Sequence, residues 1–203
     1  MTNDFTIPFC LFPSPQWFAL CNLQPRINLN EIYLKQTYRN RYDVLAVNGR
    51  LSLTVPVNSQ KGIKTPLKDI RISDRRWHKQ HLATLRSSYG KAAYFEHYID
   101  GLADVLLKPR SFLIDLNMES LQWIARCKIG FQLTITDEPW CYLEGDWTYR
   151  WEPAYHWPSS PVYPQVFCDR HPFEGNLSII DVLMNKGPLA EDYIRQLMNI
   201  GIE

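Results

Sequence analysis

Glycine is scarce in this chain, with nine among 203 residues. Neither G-x-x-x-x-G-K-S/T nor G-x-G-x-x-G occurs, so the usual phosphate loops are missing and a backbone cradle for pyrophosphate is not expected. The five cysteines, at 10, 21, 127, 141 and 168, are odd in number, widely spaced and never arranged as C-x-x-C. That pattern suits neither a disulfide framework nor a zinc site, and reduced thiols are the expectation. No apolar run approaches the roughly 20 residues of a membrane helix, and Met1–Phe5 lacks a basic stretch leading into an apolar one, so neither membrane insertion nor a secretory signal is expected. A cytoplasmic protein follows as the expectation. The chain has no G-x-S-x-G elbow and no H-E-x-x-H pair, which removes the most readable hydrolase and metalloprotease signatures. Net charge is nearly absent, with 22 Lys and Arg against 21 Asp and Glu. Dedicated nucleic-acid binders carry a larger basic excess, so a nucleic-acid partner is not expected.

What is present is ordinary globular material, 45% apolar and 21% charged, which excludes intrinsic disorder and a coiled coil as the main description. The near-neutral total hides an asymmetry. Residues 39–91 hold 12 Lys and Arg against three Asp, whereas residues 92–203 hold eight Lys and Arg against 16 Asp and Glu. Packing of the two parts against each other would neutralise both; a basic lining for an anionic ligand is the functional alternative.

The local signals alternate between strand and helix. Residues 5–11 read as a short buried strand made irregular by Pro8. Ser14-Pro15 reads as the cap and first turn of a helix over QWFALCNL, and residues 30–35 read as a strand. Residues 42–57 are two β-prone runs around Asn48-Gly49, the dipeptide favoured in a type I′ hairpin turn. A short strand is expected at 68–72, helices from Asp74 to Tyr89, 92–107 and 111–128, a strand at 131–136, and helices at 177–186 and 189–199. Residues 137–176 lose periodicity and hold four of the seven tryptophans. A long loop of this kind is often functional. The order predicts an α/β or α+β fold in a single domain over 1–203, with a mixed sheet, an antiparallel hairpin and helices packed on it.

Chemistry-bearing residues are few. His81 lies one helical turn from Trp77 and could move a proton; His78, three residues before it, lacks the second pair that a metal site needs. Arg39 and Arg41 present forks suited to phosphate or carboxylate, and Lys79 adds a cation. The aromatic loop could cover a substrate or serve as a partner surface.

Several blocks in order carry a resemblance. They are Tyr38-Arg39-Asn40-Arg41, NGRLSLTVPV at 48–57, WHKQHLATLRSSYGKAAYF at 77–95, Leu116-Asn117 with Trp123, YPQVF at 163–167 and NLSIIDVLMNKGP at 176–188. Together they resemble the WbqC-like family of bacterial proteins, named for a member encoded in a lipopolysaccharide O-antigen locus. Typical members open with a Gln-Pro turn and a glycine-containing helix start; here that stretch reads PFCLFPSPQWFAL and lacks both. The resemblance implies Asn40, Arg41, His81, Tyr89, Asn117, Gln165 and Asp181 as polar site positions. The resulting expectation is a transferase-like enzyme acting on a phosphate-bearing or nucleotide-sugar substrate in polysaccharide biosynthesis. In it Arg39, Arg41 and Lys79 hold phosphate, His81 is catalytic, and no metal or cofactor is invoked. The alternative is a non-catalytic binding or assembly protein whose aromatic loop meets a partner.

Overall fold

The structure is a computed structural model, and it describes residues 5–59, 62–73, 76–139, 157 and 160–199. Of the aromatic stretch expected as a loop over 137–176, residues 140–156, 158 and 159 lie outside that set. The chain is of the α/β class, with helices combined with small parallel and antiparallel strand pairs. In order it runs α1 (Pro15–Cys21), β1 (Arg26–Asn28), β2 (Arg41–Ala46), β3 (Gly49–Thr54), β4 (Val57–Asn58), β5 (Arg71–Ile72), α2 (Trp77–Tyr89), α3 (Phe95–Leu107), α4 (Leu113–Arg126), β6 (Thr134–Thr136), α5 (Ile179–Lys186) and α6 (Ala190–Asn199).

β1 pairs in parallel with β6, and Thr6 bridges to Arg26 on the same strand. Residues 5–13 are buried throughout, without forming a named strand. The strand expected over 30–35 is not formed. Ile32 makes one antiparallel bridge, to Pro66, and a proline has no N–H with which to extend the ladder. α1 begins at Pro15 as the sequence suggests, but Ser14 makes no side-chain capping bond to it.

The β2–β3 hairpin is present with a different turn. Ala46 pairs with Gly49, so the loop is Val47-Asn48. Neither of these takes a positive φ; Gly49 does, at 98°. This is the pattern of a type I turn closed by a glycine bulge rather than a type I′ turn. The register therefore sets Asp43 opposite Ser52; a turn centred on Asn48-Gly49 would have set it opposite Thr54.

Helices α2, α3 and α4 pack in succession, α2 also lies on β2, and α5 packs on β2 and α3. Their buried faces follow the helical period: Trp77, His81, Leu85, Ser88 and Tyr89 on α2, and Leu113, Leu116, Asn117, Ser120, Leu121 and Ile124 among those on α4. α5 ends at Gly187, whose φ of 56° lets the chain turn against the ring of Tyr94. Ser178 caps α5, accepting from Ile180 N–H at 3.3 Å.

Candidate functional site

Three segments meet along the hairpin: the stretch running into α1, strands β2 and β3, and the residues just before α5. Backbone bonds fasten them. Ser178 N–H donates to the Asp43 carbonyl at 2.8 Å and Ile179 N–H to the Pro13 carbonyl at 2.8 Å. The Ser178 hydroxyl donates to the Phe12 carbonyl at 2.8 Å. Between them lies a cavity of about 390 Å³, walled by Phe12, Tyr38, Tyr42 and Trp157 and by the polar side chains of Ser14, Asp43, Arg50, Ser52, Glu174 and Asn176. Phe12 and Asn176 both sit at positive φ, 42° and 58°. Non-glycine residues in that region carry strain, which surrounding contacts must hold in place. The Phe12 ring is set edge-on to Tyr42 at 5.0 Å and to Trp123 at 6.1 Å, and Asn176 Oδ1 accepts from Gln16 Nε2.

Asp43 is the hub of the polar wall. It is 4% exposed, yet its carboxylate accepts three side-chain donors: Ser52 Oγ at 2.5 Å on Oδ1, and Tyr38 Oη at 2.7 Å and Arg50 Nη1 at 3.0 Å on Oδ2. Arg50 also gives Nε and Nη2 to Glu174 Oε1 at 2.9 and 2.6 Å and Nη2 to the Gly175 carbonyl at 2.6 Å. Burial alone would lower the Arg50 pKa, but Glu174 and Asp43 together lift it above its ordinary value, so its charge is permanent. Burial, with the Asp43 carboxylate beside it, raises the Tyr38 phenol well above its usual range, and it stays a donor.

None of the nine residues expected to carry function lines this cavity, and several stand directly behind it. Arg41 donates to Ser52 Oγ at 2.9 Å and to the Gln36 carbonyl at 3.3 Å. Gln165 clamps Glu174 by its backbone, with Nε2 to the Glu174 carbonyl and Glu174 N–H to Oε1, each at 3.0 Å. Asp181 accepts from Gln165 Nε2 at 2.9 Å and Tyr163 Oη at 2.5 Å. Burial raises the Asp181 pKa against the pull of those donors and of Tyr89 and Asn185. Tyr89 Oη accepts Leu45 N–H at 3.2 Å, behind β2.

His81 is 3% exposed and lies behind Tyr42, whose hydroxyl meets its Nδ1 at 3.1 Å. Burial lowers its pKa to about 4, while a hydrogen bond to the Thr54 backbone opposes that shift. The ring is thus neutral near pH 7, and its Nδ1 shares a hydrogen bond with the Tyr42 hydroxyl. Arg39 is engaged elsewhere: Nη2 meets Glu31 Oε2 at 2.7 Å with both side chains almost fully buried. Asn40 Nδ2 donates to the Val55 carbonyl at 2.7 Å, and Asn117 Nδ2 to the Phe9 and Arg39 carbonyls, each at 3.0 Å. Lys79 is exposed on α2. Arg39, Arg41 and Lys79 therefore do not converge on one point.

Sequence reasoning missed Asp43, Arg50, Ser52 and Glu174. Asp43 and Ser52 were legible in principle, as polar residues in β-prone runs that become cross-strand partners once the turn is placed at Val47-Asn48. Glu174 comes from irregular chain and carried no local signal. Among the described residues, no group of three or more His, Cys, Asp or Glu is placed to hold a metal ion, and no helix is long and apolar enough to cross a membrane.

The chain is thus of the α/β class, with a concave cavity walled by polar and aromatic side chains. Its family is more specific. The family model described as WbqC-like protein family matches residues 12–152 and 148–193, and the chain belongs to that family. No curated protein and no solved structure gives a significant match.

Proposed function

We propose that the protein is a transferase-like enzyme acting on a sugar substrate, phosphate-bearing or nucleotide-linked, in bacterial polysaccharide assembly. The observation that carries the reading is the convergence of Asp43, Arg50, Ser52 and Glu174 on one cavity beside Trp157 and Phe12. Carboxylates and hydroxyls that accept and donate in pairs, set beside flat apolar rings, are the chemistry that recognises sugar hydroxyls and ring faces. A binding or assembly protein needs no such concave set; it needs a broad apolar surface. Asp43 is the group best placed to orient a reacting hydroxyl. Ser52 and Tyr38 would shape the site around it, and His81 would act through Tyr42.

The family's association with an O-antigen locus supplies the polysaccharide context, and the sugar-recognising lining supplies the substrate class. The test is a thermal-shift and calorimetric screen of nucleotide sugars, free nucleotides and monosaccharides against the wild type and Asp43→Asn. Sugar-bearing ligands should raise the melting temperature through linkage, and Asp43→Asn should abolish the rise. If free nucleotides stabilise as well as nucleotide sugars, or if no sugar stabilises at all, the reading fails.

A further inference from the structure

Three ionised side chains line the cavity among the described residues: Asp43, Arg50 and Glu174. They leave one negative charge in excess on the lining itself, with the Arg41 guanidinium behind it, 2.9 Å from Ser52 Oγ. Arg50, the cation, is already committed, since its Nη1, Nε and Nη2 reach Asp43, Glu174 and the Gly175 carbonyl. A phosphate could use it only by displacing Glu174 or Gly175, and the displaced carboxylate would remain beside the incoming anion. Asp43 already accepts three donors, one on Oδ1 and two on Oδ2, which leaves about one of the roughly four acceptor positions of a carboxylate open. Glu174 is different. Arg50 engages only its Oε1, its side chain is 35% exposed, and among the described residues none bonds to Oε2.

The remaining open valences are neutral. Asn176 Oδ1 is occupied by Gln16 Nε2 and by Ser160 Oγ at 3.3 Å, which turns the Nδ2 donor to the other side. Ser14 borders the cavity, but its hydroxyl oxygen is shielded from solvent and does not face into it. The volume of about 390 Å³ lies at the small end of the roughly 300–1,000 Å³ typical of ligand pockets. It suits one sugar ring rather than a whole nucleotide sugar.

Building on the sugar-directed reading above, we infer that the cavity receives an amino sugar with a free, protonated amine. The ammonium would be held by Glu174 Oε2, a ring hydroxyl by Asn176, and the ring face by Trp157. Any phosphate or nucleotide on the substrate would lie outside the cavity. Two carboxylates against one engaged arginine select a cation-bearing ring over an anionic one, and the aromatic wall adds cation–π attraction.

The test is calorimetry in slightly acidic buffer with four probes: glucosamine, N-acetylglucosamine, glucose and a glucose phosphate. Glucosamine should bind about tenfold or more tightly than the other three, as a charge-assisted hydrogen bond to a carboxylate allows. Glu174→Gln should collapse that preference to about twofold or less. Glu174→Asp should keep it, and neither change should move the melting temperature appreciably. If the glucose phosphate binds more tightly than glucosamine, or if the preference survives Glu174→Gln, the amine assignment is overturned while the sugar reading stands. If none of the four binds, both are overturned.

Discussion

Replacing Arg39 with methionine gives the sharpest measure of whether the basic stretch of this protein serves a ligand or the fold. The Arg39 and Glu31 side chains are 2% and 1% exposed, with Nη2 and Oε2 2.7 Å apart. Glu31 Oε1 also accepts Phe9 N–H at 2.9 Å, and Arg39 Nη1 donates to Thr37 Oγ1 at 3.3 Å. Arg39→Met preserves much of the volume but leaves the Glu31 carboxylate buried without its counter-charge, which typically costs about 3–5 kcal/mol. For a chain of this size each kcal/mol moves Tm by about 2–4 °C, so a fall of roughly 6–20 °C is expected. Adding Glu31→Gln removes the stranded charge while keeping an acceptor for Phe9 N–H, so the double variant should recover more than about half of the loss. Urea denaturation of the wild type, the two single variants and the double variant measures the coupling directly. A loss below about 1 kcal/mol for Arg39→Met, or strict additivity in the cycle, would refute the reasoning. Loss of sugar binding at full stability would instead make Arg39 a ligand-gripping residue, as its sequence context suggested.

Other expectations follow from the same geometry. Because burial holds the folded-state pKa of His81 near 4, below the unfolded value of about 6.5, the unfolded chain binds the extra proton first. Stability should therefore fall as pH drops from about 6.5 toward 4, by about 3 kcal/mol at most. Urea titrations of wild type and His81→Gln across that range should show the difference, and parallel curves would contradict it. Gly187→Ala would put a Cβ 2.4 Å from the Tyr94 ring at a φ of 56°. It should cost about 2–4 kcal/mol by denaturation, and Tyr94→Ala in the same chain should return part of that. Ser52→Ala removes the 2.5 Å bond to Asp43; it should destabilise by about 1–2 kcal/mol and weaken sugar binding more than Lys79→Ala, which should leave both unchanged.

The helices were readable because their apolar period and their stops coincide. α2 ends at Tyr89 before Gly90, α3 at Leu107 before Pro109, and α5 at Lys186 before Gly187-Pro188. Strands were readable where two runs flank a turn and at 131–136, within which β6 forms; its parallel partner Arg26–Asn28 carried no local pattern, and nothing in either run foretold that they pair. The basic cluster misled for a similar reason. Charge along the sequence does not reveal that Glu31 folds back onto Arg39 or that Asp43 and Glu174 face Arg50. Of the nine expected site residues, Arg41 and Gln165 hold cavity residues in place, Tyr89 braces β2, and Asn117 ties the Phe9 and Arg39 backbones together. The residues singled out in advance thus mark the scaffold behind the cavity, while others within the same family blocks, Tyr38, Arg50, Ser52, Asn176 and Ser178, line it.

The fastening of Pro13 to Ile179 and of Phe12 to Ser178 has a consequence for synthesis. These bonds join positions 166 residues apart. A ribosome-bound chain can assemble the hairpin and the α2–α4 stack early, and with them the ring contacts of Phe12 to Tyr42 and Trp123, but the Phe12 and Pro13 carbonyls lack these donors until Ser178 and Ile179 have left the exit tunnel. The segment from Phe5 to Pro13, rich in buried apolar groups, can pair with Arg26, Glu31 and Tyr38 early, but its end at Phe12-Pro13 waits for its last fastening while most of the protein is translated. Closure over so long a separation is slow, and a waiting apolar segment is open to chaperones and to aggregation. Ligand recognition should consequently be among the last properties a nascent chain acquires.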